Sequence, residues 1–143
     1  MIATDLIAAY KSTHYQVMHP CGAFTLRVGQ YSPELTRLFV EHQVTTAAFI
    51  TACNPHSQPV DAAQNHRAQQ YLANDLVSYV CYAGVGLDPL GKWEGEASFL
   101  VLGINLEQAC LLGHRYQQNA IVWVEKDRIP LLWLLMDSDL GGI

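Results

Sequence analysis

Glu96 is the residue around which chemistry can be built in this chain. It shares strand parity with Ser98, Leu100 and Leu102, so a period-two reading puts a carboxylate on an apolar face. A carboxylate leaving solvent needs partners. Candidate partners stand at three other places: Asn54 and Ser57 after the apolar run TTAAFITA, Asn65 shortly beyond, and Gln118 with Asn119 before AIVWV. Trp93 precedes Glu96 by three residues. A half-buried carboxyl suits a general base, or an anchor for a cationic or hydroxylated ligand. Side-chain amides suit nucleobases, sugars or carboxamides through paired donors and acceptors. The bland reading of each is also available. Glu96 could cap backbone amides of the 84–95 loop, the amides could tie loops together, and Trp93 could lid the core. Asn before Pro is an ordinary turn residue.

Other chemistry has weaker support. The six histidines show no H-x-H, H-E-x-x-H or H-x3-H spacing, and His56 with His66 and Glu96 would meet only if the corner closed on itself. No metal and no cofactor is expected. Cys53 and His56 lie three apart in a loop without an orienting third residue, a poor nucleophile and base. Gly84-x-Gly86 lacks the third glycine, the Lys-Ser/Thr and the helix of a phosphate loop.

These residues have to be positioned by regular elements. TDLIAAYKS reads as a short helix capped by Thr4, and YQVMH and FTLRVG flank Pro20-Cys21-Gly22 as a hairpin. Ser32-Pro33 opens a helix with Leu35, Leu38, Phe39 and His42 on one face. Residues 45–52 read as a buried strand, and Asp61-Ala-Ala-Gln64 opens a helix running to about Asp75. VSYVCYAGVG and SFLVLGI are strands, Asn105 caps a third helix, and AIVWVEK follows as a strand. LLWLL reads as a last edge strand, because Pro130 cannot donate a ladder hydrogen bond.

This order implies one α+β domain over residues 1–143, a mixed β-sheet with about three helices mainly on one face, a ferredoxin-like sandwich. Strand–helix–strand connections align strands, and tight hairpins reverse them. The strands at 24–29, 45–52 and 77–84 therefore run one way, and those at 98–104 and 120–126 the other. Asn54, Ser57, Asn65, Trp93, Glu96, Ser98, Gln118 and Asn119 then collect at one edge of the sheet.

Composition limits what that edge could serve. Half of the 143 residues are apolar and 15% are charged, which calls for a substantial core. A net charge of −5 with eight Lys and Arg argues against nucleic-acid binding. The chain starts without a signal-peptide pattern, and its longest apolar run, Ile129 to Met136, contains Pro130 and is too short to span a bilayer. No membrane association is expected. Cys21, Cys53, Cys81 and Cys110 stand 28 to 32 residues apart with no C-x-x-C pair, as in a reducing, cytoplasmic setting.

At the polar corner the chain resembles a bacterial family known only as domain of unknown function 3293. The resemblance rests on Thr51-Ala52-x-Asn54-Pro55-x-Ser57, Asn65 and Leu72, Gly86-x-Asp88 with Trp93, Glu96-x-Ser98-Phe99-Leu100-Val101, and Gln118-Asn119-Ala120. It spans about residues 24 to 124, and the order and spacing of the pieces give it specificity. It implies a small, stand-alone bacterial protein and supplies no activity. The chain departs from the pattern at Cys53, and at Ala97, which stands in place of a proline.

Two functional readings follow. In the first, the protein binds a small polar ligand at the sheet edge, with Glu96 as the catalytic group if there is a reaction, and Asn54, Ser57, Asn65, Trp93, Ser98, Gln118 and Asn119 binding the ligand. Thr51 would help shape the pocket. In the second, the domain is a non-catalytic protein-interaction module whose exposed C-terminal strand edge pairs with a partner, including a second copy as a homodimer. Whether the protein is an enzyme is left open by the sequence.

Overall fold

The computed structural model of the chain describes residues 3–135. The first helix, α1 (Thr4–Ser12), leads into a hairpin of β1 (His14–Val17) and β2 (Phe24–Leu26). Next come α2 (Pro33–His42), β3 (Ala47–Ile50), a single 3-10 turn at Pro55–Ser57 and α3 (Ala62–Asp75). The remainder is β4 (Val80–Leu87), β5 (Glu96–Leu102), α4 (Leu106–Arg115), β6 (Ala120–Val124) and β7 (Leu131–Leu134).

Local chemistry explains most helix starts. The side chains of Ser32, Asp61 and Asn105 each accept a hydrogen bond from the amide three residues on, Leu35, Gln64 and Gln108, satisfying donors a helix leaves free. The expected Thr4 cap is not formed. Thr4 is already the first helical residue, and Ala3 precedes it with no side chain to offer.

The seven strands found among the described residues form one sheet in the order β2-β1-β4-β5-β3-β6-β7. The protein is α+β, but the sheet is antiparallel throughout rather than mixed. The strand directions agree with the connection rules: β2, β3 and β4 do run together, opposite to β5 and β6. What differs is adjacency. β5 inserts between β3 and β4, and β1 between β2 and β4, so strands of one direction never become neighbours.

The helices also differ from expectation. Four α-helices are present among the described residues, and they cover both faces instead of one. On one face Leu35, Leu38 and Phe39 of α2 meet Ala47, Phe49, Leu100, Leu102, Val122 and Val124. On the other, Leu72 of α3, Leu76 at its C-terminal cap, and Ala109 and Leu112 of α4 meet Ala48, Ile50, Val101, Ile121 and Trp123. Both parities of β3 are therefore buried, which is why its four residues, AAFI, are all apolar. A ferredoxin-like sandwich, with its helices on one face, does not describe this arrangement. Against β7, α1 places Leu6, Ile7 and Tyr10 on Leu132 and Leu134. Among the described residues no helix is long and apolar enough to cross a membrane.

Candidate functional site

Residues 51–54 form the hinge of the site, because β3 leaves the ladder there and its amides need other acceptors. Those of residues 52, 53 and 54 each find a side chain. Gln69 Oε1 accepts from Ala52 N at 3.1 Å, Thr51 Oγ1 from Cys53 N at 3.0 Å, and Asn65 Oδ1 from Asn54 N at 2.8 Å. Asn65 and Gln69 are one turn apart on α3, so a single helix face holds the extended segment by two of its amides. The chain then turns sharply. Asn54, His56 and Ser57 adopt φ of +49°, +56° and +60°, left-handed conformations uncommon for non-glycine residues. His56 N donates to Gln117 O at 2.7 Å, and Gln118 Nε2 donates to Cys53 O at 3.0 Å, fastening the turn to the start of β6.

Glu96 opens β5 on the same sheet face as Ser98, Phe49 and Val122. Its Oε2 accepts from Asn54 Nδ2 at 2.6 Å. Asn54 Oδ1 in turn accepts from Asn65 Nδ2 at 2.9 Å and Val60 N at 3.2 Å. The polarity of the chain is self-consistent, since a carboxylate can only accept and so directs the Asn54 amide nitrogen toward itself. Burial raises the Glu96 pKa above its ordinary 4.5, and the Asn54 hydrogen bond offsets only part of that rise. Glu96 Oε1 takes no hydrogen bond among the described residues and is not sealed from solvent.

In front of Glu96 lies a cleft of about 830 Å³. Its floor is the sheet face at Phe49, Gly86, Ser98 and Val122, and its walls are α1, the 51–60 turn, the start of α3 and the 92–97 loop. The α1 wall is latched over the turn. Tyr10 Oη and Ser57 Oγ are hydrogen-bonded, and Asn119 Nδ2 donates to Ser57 Oγ at 3.0 Å and Tyr10 Oη at 3.2 Å. Tyr15 Oη donates to the Tyr10 carbonyl at 2.6 Å, tying the same helix to β1.

Of the residues singled out in the sequence, Asn54, Ser57, Asn65, Trp93, Glu96, Ser98 and Gln118 line the cleft, as does Thr51. Asn119 stands behind it and acts on Ser57 and Tyr10. Several amides spend their groups inside the protein: Asn65 on Asn54, and Gln118 Nε2 on two carbonyls. Ser98 Oγ donates to the Glu96 carbonyl at 2.9 Å and braces that residue's backbone. The sequence reading missed Tyr10, Tyr15 and Gln69. Gln69 was within reach, one helical turn from Asn65. Nothing local marks Tyr10, because its role depends on where α1 lands.

Cys53 is buried, and burial pushes its thiol pKa up, reinforced by the charge of Glu96. Its Sγ lies 3.5 Å from the Ala97 carbonyl, not against a base. A thiolate is disfavoured there. Among the described residues no group of three His, Cys, Asp or Glu side chains could hold a metal ion.

The fold and cleft define an α+β protein with a carboxylate-bearing pocket between an antiparallel sheet and an N-terminal helix. The family model described as "Protein of unknown function (DUF3293)" matches residues 50–121, half of the chain, and the chain belongs to that family. The matched span carries Asn54, Asn65, Glu96 and Gln118, whereas Tyr10 and Tyr15 lie outside it. No curated protein and no solved structure matches the chain.

Proposed function

We propose that the cleft binds a small polar ligand and that Glu96 is its central group, accepting a proton from the ligand or from a water beside it where a reaction occurs. The observation that supports this best is the state of Glu96. One carboxylate oxygen is held by Asn54, the other is free at a cleft wall, and burial favours its protonated form. A carboxylate that served only to cap loop amides would accept from backbone N–H groups, and the Glu96 side chain accepts from none among the described residues. The cleft volume also falls in the range of roughly 300–1,000 Å³ typical of small-molecule sites. We place the protein in a bacterial cytoplasm, a setting supported by four free cysteines, one of them exposed.

A thermal-shift screen of wild type and Glu96→Gln against nucleotides, amino acids, sugars and divalent metals tests the reading. A compound that stabilises only the wild type supports it. If no compound stabilises the wild type while Glu96→Gln melts early, the corner is scaffolding.

The edge position of β7, with β6 as its one neighbour in the sheet among the described residues, favours a second reading in which two copies pair through that strand. Leu132 is only 1% exposed beneath α1, so a charge there would break the core. The outward-facing Leu131 is the proper probe. Under this reading Leu131→Lys turns a dimer into a monomer by light scattering, and a wild-type monomer would refute it.

A further inference from the structure

The hydrogen-bonding groups of the cleft are lopsided. Most donors on its less exposed walls are committed to a protein acceptor, whereas the exposed His66, Trp93 and Lys92 side chains in the lining donate to no partner among the described residues. Asn54 Nδ2 serves Glu96, Asn65 Nδ2 serves Asn54, and Gln118 Nε2 serves the carbonyls of Cys53 and Tyr116. The Thr51 and Ser98 hydroxyls donate to the carbonyls of Ala97 and Glu96. Gln69 Nε2 has no partner but is closed off from solvent. The Tyr10–Ser57 pair, receiving from Asn119, keeps one uncommitted hydroxyl proton. Acceptors remain open by contrast: Glu96 Oε1 and Gln118 Oε1 take no hydrogen bond among the described residues and are not sealed.

The charges point the same way. The only ion pair among the described residues is Arg115 with Asp75, so no cation of the protein neutralises Glu96. A half-buried carboxylate without a cationic partner is a costly arrangement that a bound cation would relieve. Glu94 also lines the cleft, and Trp93, 38% exposed, offers a ring on which a cation can rest. Lys92 is the single opposing charge in the lining, and it sits on the exposed loop. The floor beneath is hydrocarbon, from Phe49, Val122 and Leu132.

We infer that the ligand is a protonated nitrogen base on an apolar body, an amine, amidine or guanidinium whose N–H groups meet Glu96 Oε1 and Gln118 Oε1. This inference rests on the cleft being a ligand site. An anionic ligand would face the carboxylates of Glu96 and Glu94 and find free donors mainly on the exposed His66, Trp93 and Lys92. A polyhydroxylated one would meet an apolar floor.

Isothermal titration calorimetry with five ring compounds of matched size tests the inference: benzylamine, benzamidine and benzylguanidine as cations, benzamide as the neutral form and benzoate as the anion. At least one cation is expected to bind wild type about tenfold or more tighter than benzamide, the effect of one charge-assisted hydrogen bond. Glu96→Gln should remove that advantage, and Lys92→Ala should leave it intact or enlarge it. Where Glu96→Gln does not fold, the wild type alone carries the test, because cation affinity must fall as acid protonates Glu96. Benzoate or benzamide binding as tightly as the cations would overturn the inference while leaving the cleft a ligand site. Cation binding that ignores both Glu96→Gln and acid would overturn it too. Failure of all five to bind would overturn the inference, while the proposed function would still stand or fall on the wider thermal-shift screen.

Discussion

Asn54 and Glu96, 42 residues apart in sequence, meet side chain to side chain at 2.6 Å. One partner comes from the end of β3 and the other from the start of β5, two strands that pair antiparallel. The contact fixes one carboxylate oxygen and leaves the other to the cleft, and it joins the left-handed turn to the sheet. Folding and site geometry thus depend on the same hydrogen bond.

Removing the charge should stabilise the fold in a pH-dependent way. Burial raises the Glu96 pKa above 4.5, so the folded chain holds that proton at pH values where the unfolded chain has lost it. Stability from the protonated carboxyl is complete below the unfolded value and is lost as pH rises through the folded one. Glu96→Gln cannot ionise, and its amide oxygen can still accept from Asn54. Relative to wild type, the variant is therefore expected to gain melting temperature from about pH 4.5 upward, levelling off once the folded carboxyl is fully ionised. Melting curves taken from acid to neutral pH check this. A difference that is flat with pH would mean that burial does not penalise the charge.

Asn54 carries two separable contributions. Its amide holds Glu96, and its φ of +49° is one that Asn tolerates better than Ala. Asn54→Ala loses both and should cost about 3 kcal/mol, while Asn54→Gly loses only the hydrogen bonds and should cost about 1 kcal/mol less. Urea denaturation of both variants measures the gap. Equal costs would show that the left-handed backbone at Asn54 stores no strain.

Much of this corner is legible in the sequence. The caps at Ser32, Asp61 and Asn105 were readable because they depend on residues three apart. The gathering of Asn54, Ser57, Asn65, Glu96 and Gln118 was readable because strand direction follows from connection type. Strand order was not. Placing β5 between β3 and β4 requires knowing which edges are free when each strand docks, a long-range property that no local pattern encodes. The same gap hid α1. Nothing in TDLIAAYKS says that Tyr10 will reach Ser57 and Asn119, and the helix buries no residue fully.

Two glycines of β4 should respond oppositely to a methyl group. At Gly84 a Cβ would lie 2.7 Å from Phe49 Cε2 and 2.8 Å from the Gln16 carbonyl oxygen, inside contact distance of a buried ring and a fixed backbone. Gly84→Ala is expected to cost about 2 kcal/mol by overpacking. At Gly86 the nearest atom is Thr13 Cγ2 at 3.7 Å, an ordinary contact, and the new group would occupy the cleft floor. Gly86→Ala should melt close to wild type, yet weaken any ligand that reaches the sheet. Paired melting and titration experiments check both halves. A Gly86→Ala protein that binds unchanged would place the ligand higher, against α1.

The latch on α1 gives the last prediction. Tyr10→Phe keeps the ring that packs on Leu132 and Leu134 but deletes the hydroxyl shared with Ser57 and Asn119. Leu6 and Ile7 still anchor the helix, so the global fold should lose only about 1 kcal/mol. The local effect should be larger, because α1 has no side-chain cap and no fully buried residue, which puts it at the weakly held end of the structure. Hydrogen exchange is expected to show faster exchange over α1 with little change in β3 and β5. Loss of the latch should also speed ligand binding and release together, since α1 forms one wall of the cleft. Unaltered α1 exchange in Tyr10→Phe would mean that Leu6 and Ile7 alone hold the helix and that the hydroxyl pair does not gate the site.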